Sequence, residues 1–251
     1  MKRTGERLLA HFGDSRLISD ITVSDLKAYQ DKVSHNWSLT TIATEVGRVK
    51  HVFNYAFEHE LLDKPLRFGK VFTQPTKAQM RKYRASKGKR LFTNKQIQLM
   101  LNKASVHMKA MMYLALNCGF GNHDVAELTF SMIDWDTGWV DFPRPKTGVE
   151  RRCPLWQETI AALKASIATR SKKAKSKDHI FITARGNTWS YVRDGNTAVT
   201  ISFKTLLKSL NLWQPGKNFY TLRHVFATLA SNAKDQVAVN YIMGHSDNSM
   251  A

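Results

Sequence analysis

A chain of 251 residues, 43% of them hydrophobic, can bury one large core or two small ones. Lys and Arg number 38 against 20 Asp and Glu, a formal charge of +18, and a surplus of that size points to a polyanionic partner, because each cation laid on a phosphate releases a condensed counterion. The 2 cysteines, Cys118 and Cys153, exclude a disulfide-stapled scaffold and lack metal-ligand spacing, and no apolar run is long enough to span a bilayer. These features predict buried free thiols, no cofactor or metal, no membrane partner, and a place in a reducing cytoplasm.

In chain order, residues 21–33 predict a helix: Thr22 with Asp25 three residues on is a loose capping signature, and Val23, Leu26, Tyr29 and Val33 recur at helical spacing. Residues 38–62 predict a longer helix with Ile42, Val46, Val49, Phe53 and Phe57 on one face. Its opposite face carries Arg48 and His51, with Lys50 at the flank, and Pro65 closes the segment. A small helical bundle is expected over residues 1–76. Residues 77–90 hold Lys77, Arg81, Lys82, Arg84, Lys87, Lys89 and Arg90 and no acid. They read as a basic linker between two domains, either merely solvated or tracking a phosphate backbone.

A second domain is expected over residues 91–251. Residues 93–105 and 106–119 predict helices, and residues 122–130 a short one. From 132 to 155 the pattern alternates, with turns at Asp136-Thr137-Gly138 and Lys146-Thr147-Gly148, and predicts three short antiparallel strands. Helices return at 156–170, 197–210, 220–233 and 236–244, with a polar loop at 171–178 and a strand at 179–183 between them. The predicted class is mainly α with a small antiparallel β-sheet. No internal repeat is visible.

Two segments are more specific. YTLRHVFATLA (220–230) followed by NYIMGHSDNSM (240–250) resembles the second signature box of the tyrosine recombinases, the phage integrase family. There a His-x-x-Arg-His motif opens one helix and a Leu-Gly-His motif follows on the next. The turn around Lys146 is similar to the hairpin bearing that family's catalytic lysine. CGFGNHDVAELTF (118–130) stands where the family has Thr-Gly-Leu-Arg-x-x-Glu-Leu-x-x-Leu. The resemblance runs over nearly the whole chain. It implies a helical core-binding domain and a catalytic domain that close around duplex DNA. It further implies assembly into a tetramer on DNA for the full-length protein, and a monomer for a chain without the exchanged C-terminal helix.

The implied reaction cuts DNA without a metal. A tyrosine hydroxyl attacks the scissile phosphate, leaving a 3′-phosphotyrosyl link and a free 5′-hydroxyl. Side-chain cations must then hold the extra phosphate charge, which guanidinium does bidentately, and the leaving oxygen needs a proton. By the resemblance, Arg223 clamps the phosphate, Lys146 protonates the leaving oxygen, and His245 hydrogen-bonds the phosphate or assists proton transfer. Tyr220 replaces the first His of the motif; its hydroxyl can donate to phosphate but is no base near neutral pH. His224 follows Arg223 by one residue, a rotation of about 100°, and is expected to point away.

Two departures stand out. Gly121 occupies the position of the first catalytic arginine, although Asp124 and Leu128 keep the register. Losing one such donor typically costs about 3–4 kcal/mol. Arg144, Arg151 or Arg152 could supply the missing cation, and Asn122 or His123 weaker donors; the sequence does not choose among them. The nucleophile is expected on the helix after the Gly244-His245 box, and none of Tyr29, Tyr55, Tyr83, Tyr113, Tyr191 or Tyr241 stands there. Tyr241 reads as a core residue. Both ends are therefore expected to be cut, giving a fragment that binds DNA without cleaving it. Two other readings stay open: a DNA-binding relative that has lost recombination, favoured by Gly121, and a type IB topoisomerase.

Overall fold

The computed structural model describes residues 2–88, 90–145, 147–190, 192–193 and 196–245. It divides into two compact units, residues 1–89 and 90–251. The class is the expected one, mainly helical with a small antiparallel sheet.

The first unit holds α1 (Lys2–Phe12), α2 (Val23–Ser34), α3 (Leu39–Glu58) and α4 (Lys77–Ser86). The start of α2 is the expected one: Thr22 Oγ1 accepts from the Asp25 N–H, and the Asp25 carboxylate accepts from the Thr22 N–H. Ile42, Val46, Val49 and Phe53 of α3 are buried against Leu26, Tyr29 and Phe72. Phe57, expected on that face, is 41% exposed, because α3 ends at Glu58 and Glu60 turns into left-handed backbone.

A buried carboxylate ties three of these helices together. Glu45 of α3 accepts from Thr4 Oγ1 (3.1 Å) and from Arg7 Nε (2.9 Å) and Nη2 (2.6 Å) of α1, and from Tyr29 OH (2.7 Å) of α2. Helix α1 was not foreseen. The basic run expected to be a linker forms α4, started by a capping box of Thr76 and Gln79.

The second unit holds α5 (Asn94–Lys103), α6 (Val106–Asn117), α7 (Asn122–Glu127), β1 (Ile133–Asp134), β2 (Trp139–Asp141), β3 (Arg152–Pro154) and α8 (Gln157–Ala168). After these come β4 (Val192–Arg193), β5 (Asn196–Thr197), α9 (Ala198–Ser209), α10 (Tyr220–Ala230) and α11 (Gln236–Met243). The three expected strands pair antiparallel in the order β1-β2-β3, with Val140 opposite both Ile133 and Cys153.

Helix α6 lies at the centre. Met108, Ala110, Met111, Met112, Leu114 and Ala115 are all buried, and the stripe of Val106, Lys109, Tyr113 and Leu116 is partly open. Its end is fixed by Asn117, whose Oδ1 accepts from the Trp156 N–H (2.7 Å) and Thr159 Oγ1 (3.0 Å) while its Nδ2 donates to the Pro154 carbonyl (3.1 Å). That clamp locks the sheet against the loop after α6. Residues 179–183 do not form the expected strand. Ile180, Phe181 and Ile182 are all buried, and only isolated bridges, Thr129 with His179 and Ile182 with Thr188, form there. A short strand pair, β4-β5, was not anticipated. Cys118 and Cys153 are buried free thiols, as expected.

Candidate active site

Arg223 lies in the first half of α10, a helix whose inward face carries Thr221, Leu222, Val225 and Phe226. Arg223 is 1% exposed, and its guanidinium gathers two distant chain segments. Nη1 donates to the Gly119 carbonyl; Nη2 donates to the Met243 carbonyl (2.7 Å) and lies 3.3 Å from His245 Nε2. Burial pulls the Arg223 pKa down from its ordinary value, an effect that Tyr220 opposes and Arg144 reinforces. Arg does not lose its proton in proteins, so a buried cation remains.

The loop that receives Arg223 requires glycine. Gly119 has φ +64°, and a Cβ there would meet Phe226 Cδ1 at 2.8 Å. Two residues on, Gly121 caps α7 with ordinary backbone, and its N–H donates to Asp124 Oδ2 at 2.6 Å. The other oxygen of that carboxylate accepts from Arg151 Nη2 at 3.0 Å.

Arg151, 3% exposed, also donates from Nε to the Phe142 carbonyl (2.8 Å), and its guanidinium lies 4.8 Å and 5.1 Å from the ring centres of Phe120 and Phe142. A chain neighbour of His245 closes the group. Gly244 has φ +61°, and a Cβ there would meet Arg151 Cδ at 2.7 Å and Arg144 Cβ at 2.9 Å. Arg144 Nη1 donates to the Gly244 carbonyl at 3.1 Å.

Arg223 and His245 are thus brought together, with Arg144, Arg151, Asp124 and Gly121 around them. Tyr220 is 40% exposed at the mouth; its ring centre is 6.0 Å from the Arg223 guanidinium, and its Cε2 is 3.1 Å from where a Gly121 Cβ would sit. His224 points outward against Tyr220, as expected. Lys146 lies outside the described residues; the turn that carries it is closed by Arg144, whose N–H donates to Val149 and whose carbonyl accepts from Thr147 and Gly148.

Of the other candidates, Arg152 is exposed on the opposite face of β3, beside Asp141 (3.4 Å) and over Trp139. The Asn122 amide is committed to Thr200 Oγ1 (3.1 Å), and His123 is exposed. Tyr241, expected in the core, is 49% exposed. The inward turn of Arg151 was not foreseen, yet the signal was present: Arg151, Cys153 and Leu155 alternate onto one buried face, with Arg152 and Pro154 on the other.

The basic positions outside this cluster are at the surface. Lys77, Arg81, Lys82 and Arg84 are exposed on α4 and Lys87 just past its end, with Lys77, Arg81 and Arg84 on one stripe at i, i+4 and i+7. Arg48 is exposed, Lys50 lies half-buried over Phe68, and Arg90 is exposed beside Gly216. Lys89 lies outside the described residues. Among the described residues, no group of three or more His, Cys, Asp or Glu could hold a metal ion, and no helix is long and apolar enough to cross a membrane.

Residues 86–251, well over half of the chain, match the phage integrase family. The chain belongs to the phage integrase family. No curated protein matches the sequence. This integrase-family chain is similar in fold to the Tn1549 transposon integrase in complex with transposon right-end DNA, at 20% identity, covering 99% of this chain and 85% of that one with a TM-score of 0.76. It is also similar to a lambda integrase dimer bound to a COC′ core site, at 16% identity, covering 100% and 88% of the two chains with a TM-score of 0.75. A lambda integrase tetramer bound to a Holliday junction matches at 16% identity, covering 100% and 71% with a TM-score of 0.74.

Proposed function

We propose that this integrase-family chain binds duplex DNA and that its full-length protein cuts and rejoins strands at specific sites through a 3′-phosphotyrosyl link. The supporting observation is that the buried Arg223 guanidinium and the exposed His245 imidazole, from separate signature segments, meet 3.3 Å apart. In the reaction, a tyrosine following the Gly244-His245 box attacks phosphorus and the bond to the 5′-oxygen breaks. Arg223 holds the charge that gathers on the non-bridging oxygens. His245 hydrogen-bonds the phosphate and takes the phenol proton, and Lys146 delivers a proton to the leaving 5′-oxygen. Tyr220 donates to a phosphate oxygen from the mouth of the site.

The exposed cations of α4, with Arg48, Lys50 and Arg90, follow the DNA backbone and supply the salt-dependent part of binding. The working form on DNA is a tetramer, as in the lambda integrase structure; the chain free of DNA is a monomer, and it acts where the cell's DNA lies. A second reading is favoured by Gly121: a DNA-binding relative that has lost cleavage.

The test is covalent capture by the full-length protein on a pool of suicide duplexes of random sequence, alongside the salt dependence of duplex binding. A DNA adduct is expected, reduced about 10²–10³-fold by Arg223→Ala. Changing Lys77, Arg81 and Arg84 together to Gln should flatten the slope of log affinity against log salt by about 2–3. Salt-independent binding would contradict the proposal. Binding without any adduct would favour the second reading.

A further inference from the structure

We propose that Arg151 takes the role of the arginine missing at Gly121, holding the scissile phosphate together with Arg223 and reaching it from the sheet side of the site. The inference rests on the recombinase reading above and deepens it.

The space a side chain at Gly121 would enter is already occupied: its Cβ would lie 3.1 Å and 3.2 Å from the Tyr220 ring and 3.4 Å from Asp124 Oδ2. Asp124 instead divides its two oxygens. One holds the Gly121 N–H at 2.6 Å and the other the Arg151 guanidinium at 3.0 Å. The guanidinium is therefore a single carboxylate away from the position that lacks one. Its stem packs on Gly244, next to His245, so it enters the cluster of Arg223 rather than a separate site.

The donor count points to an anion. Arg151 Nη1 and Arg223 Nε are buried and have no hydrogen-bond partner among the described residues. Buried donors on cations are costly to leave unmet, so both ask for an acceptor. In the described part of this cluster, Arg144, Arg151 and Arg223 face one carboxylate, Asp124. A phosphate with two charged oxygens would supply the acceptors and balance the excess. Burial does not separate Arg151 from Arg223, because the two are 3% and 1% exposed.

The alternatives are weaker on the same criteria. Arg152 turns to the other face of β3 and pairs with Asp141. Arg144 is half-buried and spends Nη1 on the Gly244 carbonyl, and among the described residues no carboxylate pairs with its guanidinium.

A merely structural Arg151 would serve only to neutralise Asp124, and the test separates the two roles. In the full-length protein, Arg151→Gln is expected to slow covalent capture about 10²–10³-fold and to lower the salt slope of duplex binding by about 1. Arg151→Gln combined with Asp124→Asn removes the uncompensated carboxylate and should recover the melting temperature without recovering capture. Arg144→Gln should lose less than Arg151→Gln. The inference is overturned if capture returns in the double variant, if Arg151→Gln stays within threefold of wild type, or if Arg144→Gln shows the larger loss. If the wild-type protein forms no adduct, the recombinase reading fails by itself. The salt slope then still decides whether Arg151 holds a phosphate: a drop of about 1 supports it and an unchanged slope overturns it.

Discussion

At Gly244 the left-handed backbone and the packing work together. Only a residue without Cβ lets the stems of Arg144 and Arg151 pass this close to the segment that carries His245. Gly244→Ala is expected to cost about 1–2 kcal/mol in stability from the backbone alone. Capture should fall further than that loss explains, because the new methyl displaces Arg151 Cδ from 2.7 Å. Thermal unfolding and covalent capture measured on the same variant check this; full capture with unchanged stability would show that the contact does not matter.

The sequence singles out Arg223 and His245 because a spacing motif surrounds them, and the fold brings the two within 3.3 Å. Arg151 was visible only as one of three arginines. Its inward turn depends on which face of β3 meets the core, and that is set by partners such as Phe120 and Phe142, which lie far away in sequence. Tyr241 misled for the converse reason: an apolar helix of eight residues has too few turns to tell its buried side from its open one.

Helices with a cap and a stripe were legible to within a residue or two, as α2, α5 and α9 show. Elements held by distant contacts were not. Helix α1 carries a basic sequence with few apolar residues, and is held by Leu8 and Phe12 on the core and by Thr4 and Arg7 on Glu45, a partner about 40 residues away. Helix α4 is the exception among the capped helices: it buries no residue, so its sequence reads as a charged linker although a capping box starts it. Residues 180–182 have the composition of a strand, but among the described residues the segment pairs only through isolated bridges at His179 and Ile182.

The Glu45 junction gives a pH dependence. Burial alone would raise the Glu45 pKa, but the hydrogen bonds from Arg7, Tyr29 and Thr4 outweigh it and hold the carboxyl below its usual 4.5. A carboxyl with a depressed folded pKa stabilises the fold above its unfolded pKa and loses that contribution as pH falls through the folded value. Acidification from pH 4.5 downward should therefore lower the melting temperature. Glu45→Gln should flatten that part of the profile and cost about 1–3 kcal/mol at neutral pH, discounted because Arg7 can turn partly to solvent. An acid limb unchanged by Glu45→Gln would assign the effect to other carboxylates.

Across the whole molecule the charge of +18 and the cluster around Arg223 describe two uses of cations. The surface set on α4 and at Arg48 and Arg90, with Lys50 half-buried, suits the DNA backbone at large, whereas Arg223 and Arg151 are buried and ion-paired or bonded to backbone. Under the proposed function, the first set would govern affinity and its salt dependence, and the second would select one phosphate. A duplex carrying the captured site, with each phosphate in turn replaced by an uncharged methylphosphonate, tests that distinction most directly when its binding to wild type, Arg223→Gln and Arg151→Gln is compared. The cleaved phosphate should be the single position where the replacement costs wild type about tenfold or more and costs both variants far less. Coupling of the two arginines to different phosphates, or to none, would contradict a shared clamp.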